Sequence, residues 1–338
     1  MRGRTFEIRG YRPGDERRIL TTFNRVFREE CGKQYVDRTL QQWTWQYLDN
    51  PEGHRITLAV GEDGTVASQY AGVPVRADTP WGCMRFVHCV DSMTHPEWRE
   101  GLPAPGLFAR TGSAFGDQCL RLGEGLCYGF PVDTAFGIGR HHLGYEMMCV
   151  VDYLIRDHAQ PTLPMPDGVV VRRLDELPAD VDQLYETVLL DKRCLVRRDH
   201  RYLRWRYRDN PDRGAYELWA ALRDGHVRGL IVLRPDRGLV PDAMTIVELL
   251  AAECDRDALD ALVAAATARQ RAVGRQRLLA VFPQWSHEWR ALQQLGFEVA
   301  PSANWLQRRL VHSIHSHRLT PGFLATSWWF TLGDSDLA

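Results

Sequence analysis

Apolar positions along this chain follow two periods that alternate from segment to segment. A Pro-Gly turn at Pro13-Gly14 leads into a helix predicted over Asp15 to Glu30, and a Trp-rich helix ends at Asn50-Pro51. Ile56, Leu58 and Val60 then alternate as a strand, and further strands are predicted through Val75 and from Met84 to Thr94. Leu107, Phe108, Thr111, Phe115 and Cys119 return to helical spacing on one face. A short strand from Leu126 to Phe130, a short helix to His142 and a strand from Tyr145 to Ile155 complete the series. This order describes a mixed α/β domain.

The order then starts again. Trp45, Tyr47, Asp49, Asn50 and Pro51 spell W-x-Y-x-D-N-P, and so do Trp205, Tyr207, Asp209, Asn210 and Pro211. Phe130-Pro131 precedes Leu143-Gly144-Tyr145 by the same interval that separates Phe282-Pro283 from Leu295-Gly296-Phe297. Two markers in one order with preserved spacing imply an internal duplication. The chain is read as two α/β domains, 1–157 and 169–312, joined by a proline-rich linker, 158–168. A tail, 313–338, is too apolar at Trp328, Trp329 and Phe330 to float free, and is expected to dock on a domain or to form a homodimer contact.

Composition narrows the function. The 338 residues suffice for two cores, and 44% apolar with 25% charged residues are globular values. A formal charge of −1 argues against a protein that coats nucleic acid. Arg197 to Arg208 interleaves arginines with aromatics, but its Trp-x-Tyr belongs to the repeat, so the arginines are read as a solvated face. The start of the chain has no signal-peptide run and no stretch reaches membrane-spanning length, which makes the cytoplasm the expected location. Eight cysteines lack C-x-x-C spacing. His312, His315 and His317 follow the last predicted strand without a fourth ligand, so no metal is expected.

The chemistry concentrates in Val90 to Arg110. A strand runs into an Arg-bearing, glycine-containing loop that opens an amphipathic helix, an arrangement suited to phosphate. His95-Pro96-Glu97-Trp98-Arg99 with Gly106 before the helix, and the later L-G-Y, resemble the GNAT superfamily of N-acyltransferases, here in tandem. That resemblance implies a splayed mixed sheet with acyl-CoA, acetyl-CoA first among the candidates, between the fourth and fifth strands. It implies pyrophosphate contacts from Arg99, Gly101, Gly106, Leu107 and Phe108, an oxyanion donor within Ser92, Met93 and Thr94, and a further cofactor contact from Asp133. Residues Glu100 to Pro105 lengthen the loop beyond the family pattern.

Acyl transfer to an amine also needs a proton acceptor and a donor for the leaving thiolate. Asp91 is the first choice for base or amine-positioning carboxylate, with His88 on the same strand as the second. Glu248 holds the matching place in the second copy, so an acid here is also compatible with a structural role. Arg140 stands where the family carries a tyrosine acid, leaving Tyr145, His141, His142 or solvent for that task. The second copy has no glycine in this loop and sets Glu253, Asp255 and Asp257 there. The expected activity is transfer of an acyl group from acyl-CoA to a primary amine of a small metabolite or amino sugar, confined to the first domain. Acyl-CoA binding without catalysis and tRNA-dependent aminoacyl transfer are the alternatives.

Overall fold

The computed structural model describes residues 5–99, 105–236 and 239–337. Strands β1 (Phe6–Gly10), β2 (Arg55–Gly61), β3 (Val66–Thr79), β4 (Gly82–Thr94), β5 (Leu126–Gly129), β6 (Glu146–Val150) and β7 (Asp152–Asp157) alternate with helices α1 (Glu16–Cys31), α2 (Leu40–Tyr47), α3 (Leu107–Arg121) and α4 (Asp133–His142). Next come β8 (Val170–Leu174), α5 (Val181–Leu189), β9 (Cys194–Val196) and α6 (His200–Leu203), which continues into one π-helical turn, Arg204–Arg208. Then follow β10 (Glu217–Arg223), β11 (His226–Arg234), β12 (Ala243–Ala251), α7 (Arg256–Ala272), β13 (Arg277–Ala280), α8 (His287–Gln294) and β14 (Glu298–Pro301). The chain ends through β15 (Arg309–Ile314), α9 (Pro321–Ser327) and β16 (Trp328–Trp329).

One sheet runs β1-β2-β3-β4-β5-β15-β6 and the other β8-β10-β11-β12-β13-β7-β14. Aligned on the repeat, the two orders match place for place with one exception. The place between β5 and β6 is filled by β15 from the second half, and the place between β13 and β14 by β7 from the first. Each half therefore contributes its last strand to the other half's sheet.

The compact units do not follow the two halves of the chain. One comprises Met1–Arg76, Met84–Met147 and Val311–Leu319; the other comprises Ala77–Cys83, Met148–Leu310 and Thr320–Ala338. The boundary expected at 158–168 lies inside the second unit. The strand expected from Tyr145 to Ile155 is two strands broken at Val151, whose N–H turns to the Arg308 carbonyl at 2.9 Å. Residues 313 and 314, expected beyond the last strand, lie within β15. Local periodicity reports that a strand forms, but its pairing partner depends on edges far along the chain.

Within the first unit, Ile19, Leu20, Phe23 and Val26 form the buried face of α1. Asp15 before it takes two hydrogen bonds from Arg9 and one from the Arg12 N–H. Thr39 and Gln42 close a capping box at α2. Phe115 and Cys119 of α3 pack on Tyr70, Val87 and Cys127 of the sheet. A Cβ on Gly72 would lie 2.4 Å from Val87 of β4 and 3.1 Å from Phe115 of α3, so only glycine fits between the sheet and the helix there. In the second unit Gly229 of β11 allows a similar approach at a different place, where a Cβ would meet Leu262 of α7 at 2.8 Å. Each glycine marks a close approach of the central helix to its sheet.

β15 brings a titratable group into the first unit. His312 is 2% exposed and pairs across from Tyr128 of β5. Burial holds the imidazoles of both His312 and His315 below the ordinary histidine value. The folded chain therefore keeps these rings neutral at a pH where the unfolded chain protonates them. Their contribution is fully present above the unfolded pKa of about 6.5 and is lost as pH falls below it. Thermal unfolding followed between pH 8 and pH 5 is expected to show a midpoint that drops below about pH 6.5. The drop should be smaller in His312→Gln; equal pH slopes in the two proteins would contradict the assignment.

Candidate functional site

In the first unit β4 and β5 pair in parallel only over Phe86–His88 and Leu126–Tyr128. β5 ends at Gly129, while β4 runs on to Thr94. The two strands thus separate beyond His88, whose ring stacks on Tyr128 at 5.0 Å and meets Phe130 edge-on at 6.2 Å. Past this point Asp91 adopts φ 56°, in the left-handed region that Asp tolerates better than most residues. The kink turns the local carbonyl out of the ladder, and the Gln69 side-chain amide donates to it at 2.9 Å.

The Asp91 carboxylate is held from three sides. Tyr47 OH donates to Oδ2 at 2.7 Å, Gln46 Nε2 donates at 2.8 Å, and the Arg38 guanidinium forms an ion pair with the same oxygen. Among the described residues, all the side-chain hydrogen bonds to this carboxylate end on Oδ2. Burial, then the charge of Asp91, pushes the Tyr47 phenol well above its ordinary value, so it remains a proton donor. Arg38 rests on the Phe23 ring at 4.5 Å. Its side chain is 25% exposed, against 7% for Asp91.

The second unit repeats this clamp and fills it. Arg198, Tyr207 and Glu248 stand in the places of Arg38, Tyr47 and Asp91. Tyr207 OH donates to Glu248 at 3.1 Å, and Arg198 pairs with the same carboxylate at 3.4 Å, both side chains fully buried. Burial pushes the Glu248 carboxyl up, against the pull of Arg198. Here the C-terminal segment enters. Thr331 Oγ1 donates to Glu248 at 2.7 Å, and Asp334 accepts from Arg198 at 2.5 Å. Arg206, in the place of Gln46, donates to the Ser335 carbonyl at 2.8 Å. Trp329 packs on Phe282 at the end of β13 and donates its N–H to Glu288, which pairs with buried Lys192. A Cβ on Gly333 would lie 1.9 Å from the Glu248 carboxylate, so the segment fits only with glycine there.

The helix starts differ as well. Gly106 is the N-cap of α3 and has no side chain to cap it, and a Cβ there would meet nothing within 4 Å. Among the described residues no side chain caps this helix start, and an uncapped start is the kind that favours an anion. At α7 the N-cap is Asp255, whose carboxylate accepts from Ala258 N–H at 3.3 Å and pairs with Arg223 and Arg228. A cavity of about 420 Å3 beside it is lined by these same groups, whose cations already face carboxylates. Glu253 pairs with Lys192.

The structure places the other expected residues unevenly. Met93 is buried, and its carbonyl accepts from Ser68, whose hydroxyl also meets Thr94 Oγ1 at 3.2 Å. Ser92 is half-buried. Arg99 is half-exposed, pairs with Glu30 at 2.9 Å and donates to the Thr94 carbonyl, so it is spent on its own unit. Leu107 is buried beneath the helix start, and Phe108 packs against Tyr70 at 5.6 Å in the core. Their side chains pack on protein, while their backbone N–H groups form the start of α3. Gly101 lies outside the described residues. Asp133 begins α4 at the surface, and Arg140, His141 and His142 are exposed at its end. Tyr145 instead turns inward, its hydroxyl hydrogen-bonded to Tyr70 OH, and burial pushes its phenol well up.

The reading of Arg197 to Arg208 as a solvated face is corrected in part, for Arg201 and Arg204 are exposed but the other arginines are not. Arg198 is wholly buried, Arg197 forms a two-pronged pair with Asp78, and Arg208 donates to the Leu174 carbonyl. Carboxylates and carbonyls in the second unit draw these guanidinium groups inward. Arg38, Gln46, Tyr47 and Tyr70 escaped the sequence analysis. The signal existed: Arg38 and Arg198 each stand seven residues before the repeat's first tryptophan.

No protein-family model matches this sequence, and no curated protein matches it. Solved structures do. A probable N-acyltransferase from Enterococcus faecalis superposes with a TM-score of 0.66 at 13% identity, covering 92% of this chain and 73% of that one. A GCN5-related N-acetyltransferase from Anabaena variabilis gives 0.64 at 12%, covering 92% and 73%. A tandem GNAT protein from the clavulanic acid biosynthesis pathway gives 0.57 at 11%, covering 92% and 99%. At such identities the likeness is one of fold: the chain carries the GNAT fold in tandem. Among the described residues no helix is long and apolar enough to cross a membrane.

Gly333→Ala is expected to lower stability by about 1–3 kcal/mol, the cost of overpacking a tight site, read as an earlier urea midpoint. Gly322→Ala, with open space around its Cβ, is the matched control and should leave the midpoint within about 0.5 kcal/mol. Equal effects at the two positions would show that the segment is not wedged against Glu248.

Proposed function

We propose that this chain is an N-acyltransferase that moves an acyl group from acyl-CoA to a primary amine, and that its first unit performs the reaction. The observation that carries this reading is the contrast between the units. The first combines separated strands, an uncapped helix start and a carboxylate with a spare oxygen; in the second a carboxylate caps the helix and the chain's own end fills the clamp.

In the first unit the pantetheine would enter between β4 and β5, and the pyrophosphate would meet the N–H groups at the start of α3. Arg99, already paired with Glu30, is not assigned to the phosphate. The amine nitrogen attacks the thioester carbonyl, a C–N bond forms, and the C–S bond breaks. Asp91 Oδ1 orients the amine and receives or relays its proton, with His88 as the second acceptor on the same strand. A backbone N–H within Ser92 to Thr94 would receive the developing oxyanion. Tyr145, kept protonated by burial, supplies the proton to the leaving thiolate in place of the exposed Arg140. Tyr70 holds the Tyr145 hydroxyl in position.

Thiol release from acetyl-CoA in the presence of an amine panel tests the reading. Tyr145→Phe is expected to lower kcat by about 100-fold, the scale of one lost proton-transfer group. Acetyl-CoA binding without turnover on any amine would instead favour a binding module.

A further inference from the structure

The clamp in the first unit is the same device that, in the second, already holds two chemical groups. Thr331 presents a hydroxyl donor to Glu248, and Asp334 presents a carboxylate to Arg198. Both groups reach one guanidinium nitrogen, since Arg198 Nη2 lies 3.3 Å from Thr331 Oγ1 and 2.5 Å from the Asp334 carboxylate. The Thr331 N–H also donates to that carboxylate at 2.9 Å, so donor and anion sit side by side. A small molecule with a donor and a carboxylate on adjacent atoms offers the same pair.

We infer that the Arg38–Tyr47–Asp91 clamp is the acceptor subsite of the first unit, and that the acceptor is an α-amino carboxylic acid or an amine with a carboxylate on the neighbouring carbon. The amine meets Asp91 Oδ1 where Thr331 Oγ1 meets Glu248, and the carboxylate meets Arg38 where Asp334 meets Arg198. Three features fit. Arg38 spends one Nη on Asp91 and keeps a quarter of its side chain exposed, whereas Arg198 is buried and saturated. Asp91 is one methylene shorter than Glu248, which leaves depth for a ligand atom. Gln46 replaces Arg206, so the clamp offers one guanidinium for one carboxylate. Tyr47 and Gln46 fix Oδ2 of Asp91, which leaves Oδ1 without a side-chain hydrogen bond among the described residues.

This inference rests on the acyltransferase reading, and the test separates the two. Paired acceptors are compared with acetyl-CoA as donor: L-alanine with ethylamine, L-threonine with 1-amino-2-propanol, and L-phenylalanine with phenethylamine. The acid of each pair is expected to have at least a tenfold higher kcat/KM, chiefly through KM. In Arg38→Gln the ratio should collapse to within about twofold, and Arg38→Lys should restore part of it, because a point charge still meets the carboxylate without the two-pronged geometry. Circular dichroism checks that each variant folds; if Arg38→Gln does not, the ratio in Arg38→Lys decides. Equal kcat/KM within the pairs, or a ratio indifferent to Arg38, overturns the clamp and leaves the transferase standing. If nothing is acylated, calorimetric titration with the three amino acids decides. Binding lost in Arg38→Gln keeps the subsite and removes the transferase; no binding overturns the subsite.

Discussion

A strand carboxylate held by an arginine and a tyrosine is the interaction around which each half of this chain is organised. The acid sits on the fourth strand of its sheet, and its partners come from the segment that carries the repeated W-x-Y-x-D-N-P. One contact therefore ties the helical entrance of each half to its sheet. Taking such a carboxylate out of water is costly unless every partner is in place. That cost explains why arginine, tyrosine and acid have survived duplication together.

The two copies satisfy the constraint in different ways. In the second unit the carboxylate and its arginine are fully buried, and the chain end supplies a hydroxyl and a second carboxylate to complete the network. In the first, glutamine takes the place of the second arginine, and the ion pair keeps contact with solvent. The same division recurs at the central helices, capped by Asp255 in one copy and led by Gly106 in the other. A duplicated scaffold has become one half that closes on itself and one whose clamp keeps contact with solvent. In the first, Tyr145 and Tyr70 add a buried pair of hydroxyls that the exposed histidines of α4 cannot replace.

Much of the fold was legible in the sequence because helix and strand periods are local, and because a repeat announces itself at any identity that preserves a few aromatics. The α/β class, the tandem arrangement and the docking of Trp328 to Phe330 all follow from such patterns. The exchange of β7 and β15 does not, since pairing depends on which sheet edge is open. At the site, Asp91 was visible as an acid beside the loop, but its partners were not. Arg38 stands on no periodic face, and Tyr47 was visible only as part of the repeat. The Arg99–Glu30 ion pair and the packing of Phe108 on Tyr70 join residues far apart in the chain, so no local pattern announces them. The arginines of Arg197 to Arg208 misled for the converse reason: a basic run looks solvated until buried carboxylates elsewhere in the chain are known.

The asymmetry of the two units is the central claim, and the stoichiometry of acyl-CoA binding tests it most directly. Calorimetric titration with acetyl-CoA should give one site per chain. Gly106→Asp, which puts on α3 the carboxylate cap that Asp255 provides on α7, should weaken that site by at least tenfold while the unfolding midpoint is kept. Two sites per chain, or a single site indifferent to Gly106→Asp, would contradict the account.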